Sequence, residues 1–184
     1  MSHTHAIFHE MGFDVKTERL TEAVVCSIAR TYSLIARHLA PVYQRQGLTA
    51  ASFNLLMLLK HGKDPDSLTQ QAAGERLVVS PSDMTGLIDR LERKGLVRRA
   101  PGKDRRSKRL QITPKGSQFL DQVWPRHLEA VDRVAGTLGA VAARRLVEAS
   151  AVLRRSLAPA IPLRGIDSTE LVRSTSSSPA SRTK

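Results

Sequence analysis

Cysteine is almost absent. The 184-residue chain has a single one, Cys26, which excludes an intrachain disulfide framework and any cysteine-rich zinc site. Aromatic residues make up only 4%, so a core must be assembled mainly from Leu, Ala, Val and Ile. Long hydrophobic runs are missing too. The longest stretch without Asp, Glu, Lys or Arg, Gln46 to Leu59, has 14 residues, short of the ~20 that cross a bilayer. The start, Met1-Ser2-His3-Thr4-His5 with Glu10 and Asp14 behind it, lacks a basic segment followed by an apolar run and does not read as a signal peptide. Acidic residues are in deficit, 17 against 29 Lys and Arg, giving a net charge of +12. Hydrophobic residues at 41% suffice for about one domain. Charge of this sign points to a polyanionic partner, nucleic acid or an anionic membrane surface. A membrane surface is disfavoured, because no basic amphipathic helix with aromatic anchors is present. The expectation is a cytoplasmic, nucleoid-associated protein without a cofactor.

The ends differ from the middle. Residues 162–184 turn to Ser, Thr, Arg and Pro and lack the apolar surface that would offset the entropy of ordering, so they read as a disordered basic tail. Residues 1–15 read as a loose arm, in which Ile7, Phe8, Met11 and Phe13 can dock a short helix on a partner. Between these ends, helical signals dominate. Leu20, Val24, Ile28, Leu34, Ile35 and Leu39 recur near the 3.6 period and predict a long helix over 16–46, stopped by Gly47. Thr49 can cap a second helix up to Gly62, and Thr69 a short third through Leu77. Ser80-Pro81-Ser82-Asp83 sets a capping serine before a proline at the first helical position and an acid at the third. The helix it starts buries Met84, Leu87, Ile88 and Leu91, and Gly95 ends it. Leu96–Ala100 and Arg109–Thr113 then read as strands of a hairpin with a charged tip. Thr113-Pro114 opens another helix, which Pro125 is expected to kink or interrupt, and a last helix covers about 140–158.

Two short helices, the second sharply capped and followed by a basic hairpin, describe a winged helix-turn-helix. The fold class is therefore mostly α with a small β-hairpin wing, the DNA module (48–113) flanked by helices at 16–46 and 114–160. The first turn of the second helix would offer Ser80, Ser82 and Thr85 to phosphates and base edges, with Arg90 one turn further on. Lys103, Arg105, Arg106, Lys108 and Arg109 crowd the hairpin. From Arg90 to Lys115 eleven Lys or Arg stand against two acids, Glu92 and Asp104, so the basicity sits where a DNA-binding motif needs it. Ser80 and Asp83 equally serve as helix caps, and Arg90 can pair with acids along its own helix.

Residues 79–97 (VSPSDMTGLIDRLERKGLV) and 104–116 (DRRSKRLQITPKG) resemble the MarR (multiple antibiotic resistance regulator) family. The Asp-x-Arg wing that leads after six residues into Thr-Pro-x-Gly is the most specific part, and the resemblance extends over about residues 16–158. It implies a homodimer held by its first and last helices, bound to a pseudo-palindromic double-stranded operator. It also implies a repressor released by a small, often aromatic or phenolic, effector. By the same resemblance Arg106 enters the minor groove, with Asp104 holding it and Lys103 and Arg105 beside it. Ser80, Pro81, Ser82, Thr85 and Arg90 lie where the recognition helix meets DNA, and Thr69 starts the supporting helix where backbone phosphate is gripped. Gly86 stands where many members carry a longer polar residue.

Other candidates weigh less. Cys26 invites a redox-sensing alternative, yet Val24, Val25 and Ile28 around it suggest an apolar setting that disfavours a thiolate. Tyr32 and Tyr43 are present, one residue out of register with the tyrosines of the cysteine-bearing branch of the family. A winged helix used for protein contacts alone is the second alternative. His3, His5 and His9 lack Asp or Cys partners in sequence and do not read as a metal site. His38, His61 and His127 stand alone, and Trp124 reads as packing more than as a pocket wall. No Ser-His-Asp, Cys-His or phosphate-loop pattern is present, so no enzymatic activity is expected.

Overall fold

The computed structural model describes residues 3–13, 19–63, 68–101 and 108–157. Helix α1 (His3–Glu10) leads into α2 (Leu20–Gln44), which is followed by α3 (Ala50–His61), α4 (Gln70–Leu77) and α5 (Pro81–Arg93). A hairpin of β1 (Val97–Pro101) and β2 (Lys108–Ile112) precedes α6 (Pro114–Ala135), a short 3-10 turn and α7 (Gly139–Leu157). The strands pair antiparallel, from Val97 opposite Ile112 to Pro101 opposite Lys108, one residue from the expected limits.

The helix starts follow from capping chemistry. Thr49, Thr69, Ser80 and Thr113 each sit in extended backbone, and each side-chain oxygen accepts the N–H three residues on, at 3.1, 3.2, 3.2 and 2.9 Å. Every cap satisfies one amide that a helix leaves without a partner. The Thr-Pro-x-Gly segment does more. The Thr113 hydroxyl donates to the carbonyl of Gly95 at 2.7 Å, and a side chain on Gly116 would collide with the carbonyl of Leu96. The start of α6 is thus pressed against the end of α5.

One core holds the DNA-module helices to the rest. Leu55, Leu56, Met84, Ile88, Leu110 and Leu120 are essentially inaccessible within it, and they come from α3, α5, β2 and α6. Lys60 of α3 reaches across to Asp121 of α6 at 2.5 Å. Pro125 does not interrupt α6, which runs unbroken from Pro114 to Ala135. Proline removes one backbone N–H, and packing of α6 against α2 and α3, with Leu120, Val123 and Ala130 buried around the proline, keeps the helix continuous. Helix α1 packs on α2 of the same chain, where Ile7 and Phe8 bury against Ala23 beside Met11 and the half-buried Cys26. The reading of 1–15 as an arm for a partner did not foresee that contact. Residues 162–184 lie outside the described residues.

Exposed apolar side chains are unevenly spread. Except for Phe13, Val78 and Trp124, every large one among the described residues lies on α2, the C-terminal half of α6, or 138–157. Helix α7 buries none of its residues, and its Leu146, Val152 and Leu153 face Leu20, Val24 and Ile28 of α2 across an apolar groove of about 460 Å³.

Candidate nucleic-acid interface

Helix α5 is sharply two-sided. Met84, Leu87, Ile88 and Leu91 are buried, while Ser80, Pro81, Ser82, Thr85 and Arg90 are exposed along the opposite side. Ser80 Oγ accepts from the Asp83 amide and donates to Asp83 Oδ2 at 2.6 Å, with Ser82 Oγ 3.1 Å away. Asp83 therefore serves the cap, and its charge favours the helix N-terminus. Helices α4 and α5 join at Val78, the one non-glycine residue among those described with a positive φ, 52°. Its left-handed backbone ends α4 and lets the chain turn sharply into α5.

Arg90 does not pair along its own helix. Its two nearest acids are taken by Arg99 of β1, whose Nη2 donates to Asp89 Oδ1 at 2.8 Å and whose Nη1 meets Glu92 Oε2. The Arg99 amide also donates to Glu92 Oε1 at 2.8 Å. The Asp89 hydrogen bond and the Glu92 charge raise the Arg99 guanidinium above its already high value, against the opposing effect of burial. This pair of contacts fixes the wing to the back of α5 and leaves Arg90 exposed, with no ion pair among the described residues. Its guanidinium lies back over Gly86, where a Cβ would stand 3.4 Å from Nη1. That is ordinary contact with the tip of a flexible side chain, so a small side chain at position 86 would also be accommodated.

Thr69 caps α4, as the sequence implied, and is also tied to the wing. It bridges to Arg109, and the Leu110 amide donates to the carbonyl of Leu68 at 2.7 Å. The sequence carried no strand pattern there, because a single bridge needs no alternation. Gln70, beside that cap, was missed as well: its Nε2 donates to Thr85 Oγ1 at 2.7 Å. Lys103, Asp104, Arg105 and Arg106 lie outside the described residues, while Lys108 and Arg109 hold the base of the wing in β2.

Behind the DNA module three of the seven aromatics meet at the junction of α2, α3 and α6. Phe53 and Trp124 stack with ring centres 6.3 Å apart, and the Tyr43 hydroxyl hydrogen-bonds His127 Nδ1 at 3.0 Å. Burial raises the Tyr43 phenol and lowers the His127 imidazole, so both are neutral at pH 7. His127 is therefore not alone, a pairing across 84 residues that no local motif signals. Among the described residues no three His, Cys, Asp or Glu side chains come together as a metal site, and no helix is long and apolar enough to cross a membrane.

A buried two-helix frame, an exposed polar first turn and a basic hairpin locked beside it define a winged helix-turn-helix, a DNA-binding class. Comparison with known proteins narrows this. The family model described as MarR family matches residues 46–107. The chain is 31% identical over 112 residues to the HTH-type transcriptional regulator MhqR of Bacillus subtilis (strain 168), covering 60% of this chain and 75% of that one. It is 32% identical over 107 residues to the HTH-type transcriptional regulator PecS of Dickeya dadantii (strain 3937), covering 58% of this chain and 64%, just under two thirds, of that one. The fold is shared with Sco3205, a MarR family transcriptional regulator from Streptomyces coelicolor in complex with DNA, at TM-score 0.69 and 23% identity over 79% of this chain and 93% of that one. The chain belongs to the MarR family of DNA-binding transcriptional regulators.

Proposed function

We propose that this protein is a homodimeric, sequence-specific repressor that a small-molecule effector releases from its operator, with no enzymatic activity. The observation that carries the DNA reading is the two-sidedness of α5, with its apolar stripe sealed in the core and Ser80, Ser82, Thr85 and Arg90 left outward. Such a helix fits the major groove, and the wing carrying Lys103, Asp104, Arg105 and Arg106 then reaches the flanking minor groove. Thr69, at the first turn of α4, supports a phosphate contact. Sco3205 is a structural relative in complex with DNA, which agrees with this use of the fold.

The dimer reading rests on the apolar side of α2 and α7. Exposed Val, Leu and Ile on that scale are far more than a monomer usually leaves bare, and a second copy would cover them. Segments 16–46 and 114–160 then form the dimer and 48–113 the DNA module, so two-fold symmetry sets two half-sites about one helical turn apart. A cleft of about 370 Å³ between α2 and α6, lined by Leu34, Ile35 and Val134 together with Arg133 and His38, suits a small aromatic acid. An effector acts only if it prefers a dimer whose recognition helices are wrongly spaced. Arg106→Ala is expected to weaken binding to an operator duplex by about 1–3 kcal/mol, and retained full affinity would remove the wing from the account.

A further inference from the structure

We infer that Gln70 sets base preference at Thr85 by fixing which way the Thr85 hydroxyl points. A threonine hydroxyl has one proton to give and two lone pairs to accept with. Thr85 Oγ1 gives its proton to the carbonyl of Pro81 at 3.0 Å, and accepts one from Gln70 Nε2 at 2.7 Å. That leaves Thr85, exposed on the groove side of α5, with one free lone pair and a methyl group. It can accept from an amino group or touch a thymine methyl, but it cannot donate. In the major groove, adenine and cytosine present amino donors, thymine a methyl, and guanine only the acceptors N7 and O6. The Gln70–Thr85 pair therefore disfavours guanine opposite Thr85.

Gln70 is well placed for this role. It is the first residue of α4, behind the Thr69 cap, and Thr69 and Leu68 are held to β2 by the Arg109 bridge and the 2.7 Å bond from Leu110. Its neighbour Gln71 bonds Glu75 of the same helix at 3.0 Å instead. Gln70 is thus a positioning residue that links the wing, the supporting helix and the recognition helix at one hydroxyl. Without its donated proton, the Thr85 hydroxyl is free to swing from the Pro81 carbonyl and donate to guanine.

This inference rests on the placement of α5 in the major groove. The test is selection from a library of randomised duplexes by the full chain and by Gln70→Met and Thr85→Val, each first checked for wild-type circular dichroism and melting temperature. The wild type is expected to exclude guanine at one position in each half-site. Gln70→Met should lose that exclusion by about five-fold or more while other positions and the salt dependence stay as they were. Thr85→Val should weaken selection for adenine or cytosine at the same position and keep thymine. A wild-type profile with guanine excluded, unchanged in Gln70→Met, overturns the role of Gln70 alone, as does a uniform loss of affinity for every sequence. A wild type that selects no sequence overturns the groove placement itself. Should Gln70→Met melt early, Thr85→Val decides: no change at the guanine-excluding position overturns the inference.

Discussion

Val78 is a β-branched residue in the left-handed region, with φ 52° and ψ 48°, and 69% of it is exposed. Nothing in its burial offsets that backbone conformation, which costs a side-chain-bearing residue about 1–2 kcal/mol. Val78→Asn is expected to raise stability by about 1 kcal/mol, read as a higher urea midpoint at unchanged slope; a lower midpoint would show that the turn depends on the valine. His127 supplies a pH signature. Burial lowers its folded value below the ordinary 6.5, so from pH 6.5 downward the unfolded chain takes up a proton that the native state refuses. Its contribution is fully present above pH 6.5 and is lost as pH falls toward the lowered folded value. Urea unfolding at pH 7.5 and 5.5 should show a smaller loss for His127→Gln than for the wild type. Equal losses would place the acid sensitivity elsewhere.

At the scale of elements, the helix starts were legible because capping is local: Thr49, Thr69, Ser80 and Thr113 announce themselves within four residues. The same logic makes Gly116 critical. Its Cβ position is filled by the Leu96 carbonyl, so Gly116→Ala must push α6 away from the end of α5, at about 1–3 kcal/mol by the usual scale for overpacking. Thermal denaturation checks this, and an unchanged melting temperature would mean that the contact gives way without effort. Pro125 shows the opposite lesson, since the helix it could have interrupted runs on through it, packed against α2 and α3. The links from Leu68 and Thr69 to β2, from Gln70 to Thr85 and from Arg99 to α5 were not legible. They are made by residues far apart in sequence, or by polar side chains whose direction depends on how two helices cross. Arg90 was open between two partners in sequence, and the position of Arg99 decided against its own helix.

For the whole molecule, the family resemblance and the charge concentration carried the DNA reading, while the surface that argues for a dimer became visible only in three dimensions. The periodicity of 16–46 marked an apolar stripe, and only the fold shows that much of it is uncovered and that α7 has no fully buried residue. Leu146→Glu together with Val152→Glu puts charge on that face without touching the core. The expected outcome is a monomer by sedimentation velocity with wild-type helical content, and an operator affinity reduced to that of a single half-site. A dimer that survives both substitutions would place the two-fold interface elsewhere. The central claim remains specific recognition of duplex DNA. Its most direct test is fluorescence anisotropy of the purified full chain on the duplex upstream of its own gene, against a scrambled duplex, through a salt series. The account predicts a preference for the upstream duplex that survives near-physiological salt. Equal binding to both, collapsing steeply as salt rises, would contradict it and leave only counterion-driven attraction.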